Sequence, residues 1–440
     1  MITTVESAPS PNVDDGPADH RPVDHGHDGA IFAALMVGYP ISWALGLAPL
    51  HYPVLALPML LWLLRNRPLR VPPGTAAFAL FLLVVGASAV QLNSIGRVAV
   101  FGLRSSWYAA AFLALLYLGR ANPQTALRRI VRSMVGLWAV MIAIGWLSIL
   151  APELGWSTPV LRALPGPLAE NEFIQDLVRP QVSEIQEFRF EGVTLFRPAG
   201  PFPYTNAWGS TLALLTPFAI GALHDPRRVG VPRIVLAPIL FAGLVPFALS
   251  LNRGAWLTLG LGLVYGTARL ANIRRNPLPI VGMAVLFALG AVVAVGSGAV
   301  ETAVEQLSTR SADSNATRAT LYVETIKGAA DSPLLGYGST RPNPVDPDGP
   351  PLGTHGQLWA VLFAHGFVAL VLYIGFFAAA FFRNRPVDPL PHWAKVSLFI
   401  GLAQLSIYGH LPHQLFVMVG AAVISSWGLQ RPPRLRPTPR

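Results

Sequence analysis

PFALSLNRGAWLTLGLGLVYG, at residues 246–266, has the composition of a membrane-spanning helix with one arginine, Arg253, near its start. A helix needs about 20 mostly apolar residues to cross the hydrocarbon core of a bilayer. A guanidinium stays charged, and placing one at membrane depth costs roughly 2.5–3.5 kcal/mol on insertion scales. The stretch therefore predicts a membrane helix. We also expect Arg253 to make an interaction that offsets the free-energy cost of its insertion.

The composition of the whole chain agrees with a membrane protein. Of its 440 residues, 52% are hydrophobic and 12% are charged, whereas soluble proteins have about 25% charged residues. The sequence contains no cysteine, which excludes disulfides, thiol nucleophiles and thiolate metal sites. We predict an all-α fold, a polytopic bundle of transmembrane helices.

Hydropathy predicts about 12 spans in this bundle. They lie at 31–48, 51–64, 75–93, 98–118, 130–150, 205–223, 232–250, 252–271, 278–299, 357–382, 393–409 and 412–429.

The distribution of Lys and Arg predicts the orientation. If both termini are cytoplasmic, every short loop on that side is basic, as the positive-inside rule requires. Two long segments, 151–204 and 300–356, are then extracytoplasmic. The predicted domains are a disordered cytoplasmic tail at 1–29, a transmembrane domain at 30–430 and a basic cytoplasmic tail at 431–440. The net charge of +10 then serves topology and contacts with anionic membrane lipids, and no nucleic-acid partner is predicted.

Three arginines lie at the outer ends of inward-running spans: Arg104, Arg197 and Arg253. Helix N-termini bind anions through free N–H groups, and guanidinium groups bind phosphates in a bidentate manner. Asn206 is a candidate N-cap of the span after Arg197, and Ser250 or Asn252 could cap the span after it. A single arginine could instead extend to the lipid headgroups. Three at one membrane face favour a phosphate or diphosphate site.

The acidic residues and histidines narrow the chemistry. None of the 22 acidic residues falls within a predicted span, which counts against ion-coupled transporters. His355 begins span 10, where a neutral imidazole could accept a proton, and His365 is predicted to be a packed core residue. His410 and His413 lie at the outer turn between the last two spans. Three roles are open for them: binding an acceptor, supporting the site and capping the turn.

Four stretches resemble, in order, motifs of the O-antigen ligase and polysaccharide polymerase family of bacterial membrane glycosyltransferases. They are FRPAGPFPYTNAWGS, LSLNRGAWLTL, TRATLYVETIKGAADSPLLGYG and THGQLWAVLFAHG. The likeness covers roughly residues 190–385, and the first five spans match in hydropathy alone.

Members of this family transfer a glycan from a polyprenyl diphosphate carrier, such as undecaprenyl diphosphate, to an acceptor hydroxyl. The resemblance implies that Arg197, Arg253 and Arg318 bind the diphosphate and that His355 is catalytic. Arg104 joins the diphosphate-binding residues by its position. The residues expected to bind the acceptor or support the site are Asn206, His410 and His413. Gly356 follows the histidine where many members have asparagine.

The predicted reaction is a metal-independent, inverting transfer without a cofactor, because arginines can stabilise the leaving diphosphate. Its partners are the lipid-linked glycan donor, a hydroxyl-bearing lipid, glycan or protein acceptor, and membrane lipids. The predicted location is the bacterial inner membrane, where the protein is multi-pass. Ligase and polymerase both fit. The alternatives are a transporter or flippase of polyprenyl-linked glycans and a non-catalytic scaffold.

Overall fold

The computed structural model describes residues 29–66, 74–166, 170, 172–187, 194–274, 318–347 and 349–427. Helices dominate these residues, as the composition predicts. Their bounds are α1 Ala30–Ala44, α2 Ala48–Arg65, α3 Thr75–Ala87, α4 Ile95–Arg120, α5 Pro123–Leu150, α6 Pro159–Ala163, α7 Glu172–Val178, α8 Thr205–His224, α9 Pro226–Val229, α10 Arg233–Ala242, α11 Leu244–Leu249, α12 Arg253–Arg274, α13 at 318–331, α14 Gln357–Arg383, α15 Pro389–Gln404 and α16 His413–Trp427.

Every predicted span within the described residues coincides with a helix or a pair of consecutive helices. Among the described residues, four helices are long and apolar enough to cross a membrane by length and composition: α2, α4, α5 and α14. The count of twelve spans and the orientation therefore stay predictions. Span 278–299, most of the tail at 1–29, and the tail at 431–440 lie outside the described residues.

Local sequence explains where several helices begin and break. The Ser94 side chain accepts a hydrogen bond from the backbone N–H of Arg97 at the start of α4, which satisfies one of the free donors of the first turn. Asn122 caps α5 in the same way, and Pro123 occupies its first position. The predicted span 232–250 is divided at Gly243 into α10 and α11.

One large hydrophobic core joins the long helices. The helix α15 is central to the second half of the bundle, where it packs against α8, α12 and α16. The helix α5 packs against α1 and α8 and so connects the two halves. We call the end of the bundle at which α4, α8, α12 and α14 begin the outer end, after its predicted orientation.

A short pair of strands departs from the all-α prediction. The strands β1, Ser183–Glu187, and β2, Thr194–Pro198, pair antiparallel in the outer segment 151–204. In their register Glu184 lies opposite Arg197. The fold is therefore mostly helical with a small sheet, and this sheet carries one of the predicted site residues.

The helix α14 is kinked where its sequence reads HGF. Gly366 has a φ of 81° inside the helix, a left-handed conformation that glycine adopts without steric cost. The carbonyls of Phe363 and Ala364 accept hydrogen bonds from Tyr337 N–H at 3.0 Å and Gly338 N–H at 2.7 Å. The stretch SPLLGYG, residues 332–338, is thereby fastened to the kink.

Candidate functional site

The helix α13 and the loop before α14 hold each other in place at the outer end. Tyr322 donates a hydrogen bond to the carbonyl of His355 at 3.1 Å, and its ring stacks on Trp359 with a centroid distance of 4.5 Å. Arg318 precedes Tyr322 by one helical turn and therefore shares its face of α13. A small core of Leu321, Leu352 and Phe363 lies behind this contact. These contacts bring Arg318 to the side of His355.

His355 has an unusual backbone and a defined tautomer. Its φ of 59° is a left-handed conformation, which costs about 1–3 kcal/mol and is concentrated at functional sites. Its Nδ1 lies 2.9 Å from the Thr354 hydroxyl, and that hydroxyl donates its proton to the carbonyl of Pro351 at 2.7 Å. Thr354 must therefore accept from His355 Nδ1–H, and Nε2 keeps its lone pair.

The surroundings of His355 keep the imidazole neutral. Partial burial, and in addition the positive charge of Arg318, lower the pKa of His355 from its ordinary value of 6.5. A neutral imidazole at pH 7 with a free Nε2 can accept a proton from a hydroxyl group.

Arg197 differs from the other predicted arginines because it is engaged with the protein. The residue is 5% exposed. Its Nε donates to the carbonyl of Ser250 at 2.8 Å, and its guanidinium lies 3.8 Å from the Glu184 carboxylate. The same carboxylate accepts from the backbone N–H of Thr205 at 2.6 Å. Arg197 and Glu184 thus tie the outer ends of α8 and α12 together.

Arg253 is exposed at the first position of α12. The side chain of Asn252 accepts from the backbone N–H of Ala255 at 3.4 Å, so Asn252 is the predicted cap. The prediction for Asn206 is wrong, because Tyr204 holds the N-cap position of α8 without a side-chain hydrogen bond. Asn206 is exposed in the first turn of α8, and its carbonyl accepts from Asn252 Nδ2 at 3.3 Å.

Three predicted diphosphate residues lie near Tyr408 in the outer turn between α15 and α16. Each lies close enough to Tyr408 for an electrostatic interaction with its phenol: Arg318, Arg197 and Arg253. Tyr408 itself donates a hydrogen bond to Asn252 Oδ1. Arg253 and Arg318 form neither hydrogen bonds nor ion pairs through their side chains with any residue that the structure describes. Among the described residues, these two side chains are therefore cations near Tyr408 that have no hydrogen-bond or ion-pair partner.

A cavity of about 270 Å³ opens beside His355. Arg104, His365 and His413 also line it, together with aromatic side chains of α1 and α4: Tyr39, Trp43, Trp107 and Tyr108. Among the described residues, Arg197, Arg253 and Arg318 do not line it. The structure therefore places Arg104 on a different side of His355 from the other arginines.

The remaining histidines have different environments. His413 is buried, with Nε2 3.1 Å from the Tyr39 hydroxyl and Nδ1 2.9 Å from the Tyr52 hydroxyl. His410 is fully buried behind the outer turn, and its carbonyl accepts from the backbone N–H of Leu415. The prediction that His365 is a packed core residue is confirmed by its burial, and this side chain also lines the cavity.

The residues that orient these groups were not predicted from the sequence. Thr354 and Tyr322 act on His355, and Tyr108 contributes to the cavity. The role of Thr354 could have been predicted, because the sequence THG places its hydroxyl directly before His355. Tyr108 follows Arg104 by four residues, which places both on one face of α4, so the helical period could have indicated it.

This arrangement, free guanidinium groups beside a neutral histidine at one end of an apolar helical bundle, suits a membrane-embedded enzyme for an anionic substrate. Residues 235–374 match the family model of O-antigen ligase. This match confirms the predicted resemblance to the O-antigen ligase family over this range. The match includes Arg253, Arg318 and His355, whereas Arg104, Arg197 and His413 lie outside it. No curated protein matches the chain.

The family match indicates a function of the ligase or polymerase type, carried out by a glycosyltransferase-like enzyme. It does not favour the transporter alternative.

Proposed function

We propose that this protein is a glycosyltransferase of the bacterial inner membrane, which transfers a glycan from a polyprenyl diphosphate to an acceptor hydroxyl at the outer face. One observation carries the proposal. The free guanidinium groups of Arg253 and Arg318 lie near one turn of the chain, and Arg318 also acts on a neutral His355 with an open Nε2. A diphosphate bound by these cations would bring its glycan to the histidine.

Arg253 and Arg318 bind the donor diphosphate in this proposal. Guanidinium groups form charge-assisted, bidentate hydrogen bonds with phosphate oxygens, and α12 adds the positive end of its dipole beside Arg253. Arg197 contributes by fixing the loop before α12, because its side chain bonds the carbonyl of Ser250. The engaged Arg197 is therefore a positioning residue rather than a direct ligand of the diphosphate.

His355 Nε2 takes the proton of the acceptor hydroxyl as its oxygen attacks the anomeric carbon. The new glycosidic bond forms while the bond between the anomeric carbon and the diphosphate oxygen breaks, and the electron pair leaves with the diphosphate. The arginines stabilise the negative charge that develops there, which is the role a metal ion would otherwise have. A single direct displacement inverts the anomeric configuration. His413 and Asn206 remain candidates for contacts with the acceptor.

The proposal covers ligase and polymerase, which differ in the acceptor that occupies the cavity beside His355. Either acceptor presents a hydroxyl to Nε2, so the chemistry at the histidine is common to both.

The test is transfer in vitro from a purified polyprenyl-diphosphate glycan pool in the presence of EDTA. We expect activity in the wild type and its loss in His355→Ala, with donor binding retained. Arg253→Ala should reduce kcat/KM for the donor about 10- to 100-fold, because a charge-assisted hydrogen bond contributes about 1.5–3 kcal/mol. Arg227→Ala, an exposed arginine at the opposite end, is the matched control. Donor flipping without a new glycosidic bond would contradict the proposal.

A further inference from the structure

Arg104 is a cation that lines the cavity. It forms neither hydrogen bonds nor ion pairs with the residues that the structure describes, although it lies within electrostatic range of Tyr108 and His365. No carboxylate lines the cavity among these described residues. An arginine within a membrane helix is costly and marks a ligand or ion site by default. Its missing partner is therefore an anion that enters from outside the chain.

Tyr108 offers a second donor to the same anion. The side-chain oxygen of Gln357 accepts from the backbone N–H of His410 at 2.9 Å, which fixes the orientation of the amide. The amide nitrogen of Gln357 then donates to the Tyr108 hydroxyl at 2.7 Å. The Tyr108 hydroxyl therefore accepts a hydrogen bond, and no described residue accepts the proton that it can donate. The hydroxyl of Tyr108 is thus held in place with its proton free for a ligand.

His365 supplies the complementary acceptor. The Ser88 hydroxyl donates to the carbonyl of Val85 at 2.7 Å and lies 2.8 Å from His365 Nδ1. By the same proton count as at Thr354, Nδ1 carries the hydrogen and Nε2 has a free lone pair. The cavity therefore combines two donors with one neutral acceptor, the pattern that binds an anionic group next to a hydroxyl group.

The size and walls of the cavity limit what can enter. Its volume of about 270 Å³ lies near the lower limit of small-ligand sites, roughly 300–1,000 Å³. Aromatic side chains, among them Trp43 and Trp107, form much of the lining. One free guanidinium matches a single negative charge, and a carboxylate meets its two N–H donors in a bidentate pair. These features fit one acidic sugar residue.

We propose that Arg104 and Tyr108 bind the carboxylate of a uronic-acid-type residue of the glycan, next to the hydroxyl group that His355 activates. This inference rests on the proposed function, since it assumes that a glycan occupies the cavity. It assigns Arg104 to substrate selectivity, whereas the sequence alone predicted a role in diphosphate binding.

Binding of methyl β-glucuronide and methyl β-glucoside to the purified full-length protein tests the proposal by saturation-transfer NMR. The two probes differ by a carboxylate in place of a hydroxymethyl group. We expect wild type and His355→Ala to bind the glucuronide about tenfold more tightly or better, and Arg104→Gln to bind both probes equally. Tyr108→Phe should lower glucuronide affinity several-fold. Because it keeps the aromatic ring, this variant still tests the proposal if Arg104→Gln fails to fold. Arg162→Gln, an exposed outer arginine, should behave as wild type.

Undecaprenyl diphosphate without a glycan is the second probe. The proposal predicts that Arg104→Gln leaves its affinity unchanged, whereas Arg253→Ala weakens it. Equal binding of the two glycosides by wild type would overturn the proposal, and so would loss of undecaprenyl diphosphate binding in Arg104→Gln. Because these are binding measurements, selective glucuronide binding without any transfer would contradict the proposed function alone.

Discussion

His355 owes its tautomer to the residue before it. The Thr354 hydroxyl can accept from Nδ1–H only because its own proton goes to Pro351. A base whose second nitrogen is fixed by a neighbour keeps its reactive lone pair directed at the substrate. Three contacts with neighbours therefore set the chemistry of one side chain: Thr354, Arg318 and Tyr322.

Replacing Thr354 by valine should lower kcat by about tenfold or more, because the imidazole loses the acceptor that fixes its Nδ1–H. Thr354→Ser keeps the hydroxyl and should keep most of the activity. Steady-state transfer rates of the two variants measure the effect. Equal rates for the valine and serine variants would show that the hydroxyl does not orient the base.

The charge of Arg318 should be visible in the pH profile. Removing a positive charge next to His355 favours the imidazolium, so the pKa of His355 rises toward its ordinary value in Arg318→Gln. The base is active only when neutral, and the acid limb of the profile of kcat/KM should therefore move to higher pH. Arg318→Lys keeps the charge and should keep the limb in place. If the acid limb does not move in either variant, the charge of Arg318 does not affect the pKa of His355.

At the scale of elements, the site depends on one break in a helix. Gly366 frees carbonyls of α14 that bind the SPLLGYG segment, and this segment follows directly on α13, which carries Arg318 and Tyr322. A Cβ on Gly366 would lie 2.6 Å from the carbonyl oxygens of Pro333 and Leu334. The kink thus joins α13, which carries Arg318, to the loop and helix that carry His355.

Gly366→Ala should lower both thermal stability and activity, because the alanine meets backbone atoms and cannot adopt the left-handed conformation without strain of about 1–3 kcal/mol. Gly375→Ala is the matched control in the same helix, since a Cβ there meets nothing within 4 Å. Thermal unfolding of both variants in detergent provides the comparison. If the two alanines have the same effect, the kink has no part in holding the site.

The same steric argument applies to Gly356, which follows His355. Its φ is 154°, and a Cβ would lie 2.7 Å from the carbonyl oxygen of Ser406. The loop after His355 therefore packs directly against the outer turn, and a side chain at position 356 would collide with the backbone of that turn.

At the scale of the whole molecule, Arg197 supports the fold through its buried contacts, whereas we propose that the other site arginines bind ligands. Arg197→Ala removes a buried hydrogen bond from a charged donor and should lower the free energy of unfolding by about 1.5–3 kcal/mol. Arg253→Ala removes an exposed side chain, so it should weaken donor binding with little effect on stability. Thermal unfolding and donor affinity, measured together, check this division. Equal losses of stability in the two variants would refute it.

Sequence predicted the helices well because hydropathy is a local property, and every predicted span among the described residues became helical. Of the two caps that the sequence offered for α12, Ser250 and Asn252, the structure shows Asn252. The sequence did not predict what depends on distant residues. The partners of Arg197 are Glu184 and Ser250, and the carboxylate that meets the first N–H of α8 comes from the strand β1. His365 gave no sign that it lines a cavity, because period and hydropathy describe only its own helix.

The most direct test of the proposed transfer reaction is mass-spectrometric detection of a new glycosidic bond. The proteoliposomes would contain the purified protein, a polyprenyl-diphosphate glycan, an acceptor glycan and EDTA. Wild type should form the coupled product, and His355→Ala should form none despite normal donor binding. Product formation by His355→Ala at the wild-type rate would contradict the proposal, as would donor movement across the bilayer without any coupled product.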